Sequence, residues 1–177
     1  MKNTKKLIVS ALFTALCFVA TMFLAFPLPT GYANLGDCFA FSAGFILGMP
    51  WGIAAAALGS ALADLISGYA IYMPATFILK GLIAVAGALC ARAVFKRKIK
   101  GFANILMTGG FSLAGELIMV AGYFIFECFA LGVKEAALAS VPANLGQAAV
   151  GLVASVIIVM ILNKNRRLST FISSELK

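Results

Sequence analysis

A chain of 177 residues that is 63% hydrophobic and only 11% charged, with a mean hydropathy of +1.05, carries more apolar side chain than a water-soluble domain of that length can cover. Its formal charge of +8 gathers in three clusters: Lys2, Lys5 and Lys6; Arg92, Lys96, Arg97, Lys98 and Lys100; and Lys164, Arg166, Arg167 and Lys177. That placement argues against a nucleic-acid surface and reads as the positive-inside signature of a multi-pass membrane protein, with contact to anionic headgroups as a secondary effect.

The fold class is therefore all-α integral membrane, a single domain over 1–177 with six transmembrane helices. The apolar run after MKNTKK is longer than a secretory signal core and ends at no small-residue cleavage site, so it is read as a retained first span over 7–26. Pro27 and Pro29 close it. Span two is expected over 37–48 and span three over 51–66, separated by a hairpin at Met49-Pro50-Trp51-Gly52. Span four runs over 74–95 with Pro74 in its first turn, span five over 102–129, and span six over 142–162, opening at Pro142. An even number of spans puts both termini on the side of the lysine clusters, the cytoplasm. The connections at 27–36, 67–73 and 130–141 are then outside.

The four cysteines stand singly in apolar surroundings and there is no histidine, so no metal site and no cofactor is expected. No GxxxxGK[ST], HExxH or GxSxG motif occurs, which argues against an enzyme; transport would draw its energy from an ion gradient or another subunit.

Ionisable residues inside spans are costly in lipid and mark functional sites by default. Lys80 lies six residues into span four, ~9 Å along the helix, with Thr76 one turn before it. Tyr123 and Glu127 share a stripe of span five with Glu116, which is ~16 Å deeper than Glu127. Asn144 and Gln147 share a face of span six. With Asn34 and Asp37 from the first outer connection, these groups form a set near the outer ends of the helices that suits a small polar heterocycle. Tyr32, Tyr69, Tyr72 or Tyr123 would cover its ring. Each has a structural alternative. Asp37 is placed to cap span two; Lys80 and Asp64 are placed for an ion pair; Glu127 lies near headgroup level; Asn144 and Gln147 suit interhelical hydrogen bonds. Glu116, deeper and apart, reads as structural or partner-facing. Ala11 and Ala15 on span one, and Ala56 and Ser60 on span three, form small-xxx-small rows whose first reading is packing within the chain.

The stretches NLGD (34–37), GSALADL (59–65), YMPATFILKG (72–81), AGYFIFE (121–127) and PANLGQAAVG (142–151), in this order on six spans, resemble the substrate-binding S components of energy-coupling factor (ECF) vitamin transporters, in the riboflavin-type group that includes hydroxymethylpyrimidine S components. The resemblance implies a membrane subunit of an ABC importer in the bacterial plasma membrane that captures a small vitamin and catalyses nothing itself. It implies partners too: a transmembrane coupling subunit, contacted through Ala11 and Ala15, and two cytoplasmic ATPases. The site would lie under the loop between spans one and two, completed by spans four to six. Asn34, Asp37, Tyr32, Lys80, Tyr123, Glu127, Asn144 and Gln147 are its candidate substrate contacts. The compact, amide-rich set favours hydroxymethylpyrimidine or a vitamin B6 form over riboflavin. The residues taken alone also allow an ion-coupled secondary transporter or small channel using Asp64, Lys80 and Glu116 as a charge relay, or a membrane scaffold.

Overall fold

The computed structural model describes residues 2–28, 31–165 and 172. The order of elements is α1 (Lys2–Phe23), β1 (Ala25–Leu28), β2 (Gly31–Asn34), α2 (Gly36–Leu47), α3 (Trp51–Ile66), α4 (Met73–Lys96), α5 (Phe102–Ile125), a π-helical turn (Phe126–Ala130) and α6 (Lys134–Lys164). Of the six expected spans, four belong to helices long and apolar enough to cross a membrane: Thr4–Phe23, Met73–Lys96, Phe102–Ala130 and Lys134–Lys164. This is a multi-pass membrane protein. Long aliphatic side chains left exposed on α1, α5 and α6, among them Ile8, Leu12, Leu106, Leu117, Val153 and Ile161, form its lipid-facing surface.

α2 and α3, each expected to span the bilayer, are the two apolar helices too short to cross it by themselves. At 12 and 16 residues they rise ~18 Å and ~24 Å, less than the ~30 Å hydrocarbon core. α2 has no need of lipid: every residue except Phe39 is buried, and it packs against α1, α3, α4 and α6. Small residues permit this enclosure. A side chain at Gly44 would overlap the backbone of Ala84 on α4, and one at Gly87 on α4 would overlap the Phe41 carbonyl.

Three boundaries differ from the sequence reading, each for a local reason. The first helix ends at Phe23 rather than 26, because residues ahead of Pro27 and Pro29 are driven into extended backbone. There Ala25–Leu28 pairs antiparallel with Gly31–Asn34, Ala25 opposite Asn34. The helix of span five gives way at Phe126 to a π-helical turn that carries Glu127. The 130–141 connection is not a loop throughout. The strong helix formers of KEAALA start α6 at Lys134, so Pro142 sits inside the helix at the cost of one backbone hydrogen bond instead of opening it. The extra turns bring Ser140 onto helix and aim it at the π-helical turn.

Candidate binding site

The outer set of polar residues converges at the end of the bundle where α1, α3 and the π-turn finish and α4 and α6 begin. A cavity of about 250 Å³ there is lined by the candidates Asn34, Lys80, Tyr123, Glu127, Asn144 and Gln147. The remaining wall comes from Thr21, Asp64, Tyr69, Tyr72, Thr76, Ser140 and Ala143.

One buried hydrogen-bonded chain organises the wall. Lys80, 2% exposed, makes a salt bridge from its Nζ to Oδ1 of Asp37, which is fully buried. Gln147 Nε2 donates to the other carboxylate oxygen, Oδ2, at 2.6 Å. Asn34 Nδ2 donates to Gln147 Oε1 at 3.0 Å, and Asn34 Oδ1 accepts the Gly36 backbone N–H at 2.9 Å. The chain thus joins β2, α2, α4 and α6, and a charge that would be costly alone in the bundle has both a counter-charge and a hydrogen bond.

Two expectations change here. Asp37, expected as a substrate contact or a helix cap, is not in the cavity wall and makes no capping bond; it stands behind Lys80 and Gln147 and holds both. The first turn of α2 is instead tied by Asn34. Lys80 pairs with Asp37 and not with Asp64, which lies in the cavity wall. The backbone of Tyr32 lies in β2, and its side chain lies outside the described residues.

A second polar group in the wall is centred on Glu127. Glu127, 5% exposed, accepts from Ser140 Oγ at 2.6 Å through Oε2 and from the Tyr72 hydroxyl at 3.3 Å through Oε1. Burial first, then the Glu127 carboxylate, raises the Tyr72 hydroxyl above the ordinary phenol range, so it stays a donor to Glu127. Tyr123 shares a 2.7 Å hydrogen bond with Thr76, and its ring centroid lies 5.9 Å from Lys80 Nζ. Tyr72 lies 6.5 Å from Tyr123, centroid to centroid, and the two rings line the cavity together.

The amides divide by role. Asn34 and Gln147 spend their strongest donor and acceptor positions on each other, on Asp37 and on α2. Asn144 lines the cavity with no side-chain hydrogen bond to a described residue, so its amide is available to a ligand in both senses. Asp64 and Glu127 add acceptors, while the charge of Lys80 is already balanced by Asp37. The cavity therefore favours a ligand with several donors on a flat ring. Thr21, Ser140 and Ala143 are the wall residues that sequence reasoning did not single out. Thr21 sits in an apolar run, and Ser140 and Ala143 flank a proline that reads as a helix start.

A model of ECF-type riboflavin transporter S components matches residues 1–164. The chain belongs to this S component family. It is also similar to the thiamine precursor transporter HmpT of Lactococcus lactis subsp. cremoris, 29% identical over 173 residues that cover 96% of this chain and 95% of that protein. As a vitamin-transporter S component it is a membrane transport subunit, and the polar-lined cavity is its candidate vitamin site. Ala11 and Ala15 lie well away from that cavity, on the exposed face of α1.

Proposed function

We propose that this S component captures a single-ring vitamin or vitamin precursor, hydroxymethylpyrimidine first, a vitamin B6 form next and riboflavin last. The observation that carries the reading is the size and lining of the cavity. At about 250 Å³ the cavity falls just under the ~300–1,000 Å³ of pockets for drug-sized ligands, which suits a single-ring compound such as hydroxymethylpyrimidine better than the three fused rings and ribityl chain of riboflavin. Asp64 and Glu127 are suited to accept from an exocyclic amino and hydroxyl group, Asn144 to pair with a ring nitrogen, and Tyr72 and Tyr123 to cover the ring face. Similarity to a thiamine precursor transporter supports the same order of substrates.

The reading includes a topology and partners. Six membrane segments place both termini in the cytoplasm of a bacterial plasma membrane, with α2 and α3 completed across the bilayer by the β1–β2 hairpin and the 67–72 turn. A transmembrane coupling subunit and two ATPases energise release. The basic clusters at the two ends of the chain and in the α4–α5 turn support that orientation. The test is calorimetry on the purified chain with hydroxymethylpyrimidine, pyridoxine, pyridoxal, thiamine and riboflavin, together with mass spectrometry of any ligand retained through gentle purification. Binding of hydroxymethylpyrimidine at micromolar or lower concentration is the expected result, and tight binding of riboflavin alone would overturn the substrate assignment.

A further inference from the structure

At the other end of the bundle, about 21 Å from Lys80 along α4, a second cavity opens among the end of α4, the α4–α5 turn, the start of α5 and the end of α6. It measures about 510 Å³. Its polar wall is Lys98, Lys100, Lys164, Asn104 and Asn163; Val94, Phe95, Ile99 and Met160 supply an apolar side. It has no part in the vitamin site.

Every polar side chain in the wall carries a nitrogen donor, and there is no carboxylate among the described lining residues. Lys98, Lys100 and Lys164 make no salt bridge to any described residue. Asn104 is 5% exposed; its Oδ1 accepts from Thr108 Oγ1 at 3.2 Å, which leaves its Nδ2 without a partner in the wall of the cavity. Asn163 Nδ2 is buried and also has no partner. Buried amide donors are normally satisfied, and Asn163 Nδ2, left open beside three ammonium groups without a salt bridge, indicates that an acceptor from outside the chain completes the site. Gly101, also in the wall, is the N-cap of α5 and gives no side-chain cap, so the positive end of a 24-residue helix adds to the field.

We propose that this basic cavity binds a phosphate group, supplied by the headgroup of an anionic phospholipid or by a free phosphate compound. Three lysines and two amides match the charge and acceptor number of a phosphate. The apolar side of the cavity, open at the end of the bundle, suits the glycerol and upper acyl segment of a lipid. A lipid held there would fix the end of α6 against the α4–α5 turn.

The experiment is native mass spectrometry of the full chain in neutral detergent, titrated with a phosphatidylglycerol, with a phosphatidylcholine and with inorganic phosphate. The expected result is one saturable phosphatidylglycerol adduct, retained about tenfold more strongly than phosphatidylcholine. The variant Lys98→Gln/Lys100→Gln/Lys164→Gln should lose it by about tenfold or more, while Lys2→Gln/Lys5→Gln/Lys6→Gln, which removes the same charge elsewhere, should keep it. Asn163→Leu, with every lysine in place, should also weaken it, and the thermal midpoint of each variant reports that the fold is retained. Displacement of the lipid by millimolar phosphate supports the site with free phosphate as a source; no displacement supports it with lipid as the source. Equal retention of the two lipids, equal losses in the two lysine variants, or no adduct at all would overturn the proposal.

Discussion

Asp37 and Lys80, 43 positions apart, form a salt bridge inside the bundle, and the bond runs behind the cavity wall rather than across it. An acid that opens an apolar helix is therefore neither a helix cap nor a cavity-wall residue. Its two carboxylate oxygens fix the side chains of two wall residues, Lys80 through one and Gln147 through the other. Lys80 can face a ligand because Asp37 already balances its charge.

Removal of either member should be far more damaging than removal of both. Lys80→Ala leaves the Asp37 carboxylate buried without its counter-ion, and Asp37→Ala leaves the ammonium in the same position; each is expected to cost about 3–5 kcal/mol. Lys80→Met/Asp37→Leu should recover most of the thermal midpoint in detergent, because packed apolar groups replace a desolvated pair. None of the three should bind the vitamin. Melting curves and calorimetry on the same preparations separate the two effects, and a double variant as unstable as the single ones would refute this account of the pair.

Gln147→Leu probes the link between that pair and Asn34. The substitution leaves Asp37 Oδ2 and Asn34 Nδ2 unsatisfied, at about 1–3 kcal/mol for each buried group. Vitamin affinity should fall by roughly tenfold or more, since the entry of α2 is held through Asn34. Asn144→Leu should cost affinity with little change in melting temperature, because its amide makes no hydrogen bond to a described residue. Titration of both variants distinguishes a positioning residue from a contact.

The polar set was legible in the sequence because charges and amides stand out in an apolar chain, and helical spacing put Lys80 with Thr76 and Asn144 with Gln147. The pairing of Lys80 was not legible. Asp37 and Asp64 both precede it at plausible depth, and only the packing of α2 against α4 and α6, which glycine and alanine contacts determine, decides between them. That α2 is enclosed by protein was not legible either, because composition reports burial and is silent on whether lipid or protein does the burying; α3, equally apolar, keeps Leu58, Leu62 and Leu65 outward. Ser140 was missed because Pro142 is a strong helix-start signal, outweighed here by six good helix formers before it.

Gly151 on α6 marks how tightly Glu116 is held. A Cβ there would overlap the Glu116 carboxylate and stand 3.0 Å from Asp37 Cβ, so the two acids and α6 meet at one point. Gly151→Ala must displace the buried Glu116 side chain or α6, and should cost about 1–3 kcal/mol and weaken vitamin binding with it. Gly110→Ala on α5, where the added carbon meets no other element within 4 Å, should be neutral or slightly stabilising. Thermal midpoints of the pair, measured side by side, check the contrast.

Ala11 and Ala15 lie on the exposed face of α1, four residues apart, with Leu12 and Ile8 alongside. Phe13, Cys17 and Ala20 turn into the bundle on the opposite face, so enlarging the two alanines disturbs no internal packing. Their small size matters only if another helix comes close. Ala11→Leu/Ala15→Leu should therefore leave the thermal midpoint and vitamin affinity of the isolated chain unchanged, while lowering co-purification with the coupling subunit and vitamin uptake by cells. Cys17→Leu, on the inward face, should do the reverse, destabilising the chain by about 1–3 kcal/mol through overpacking. If the outward variant assembled and transported normally, the coupling surface would have to lie on another helix; if it failed to bind the vitamin, α1 would be coupled to the cavity through Thr21 rather than serving as a separate docking face.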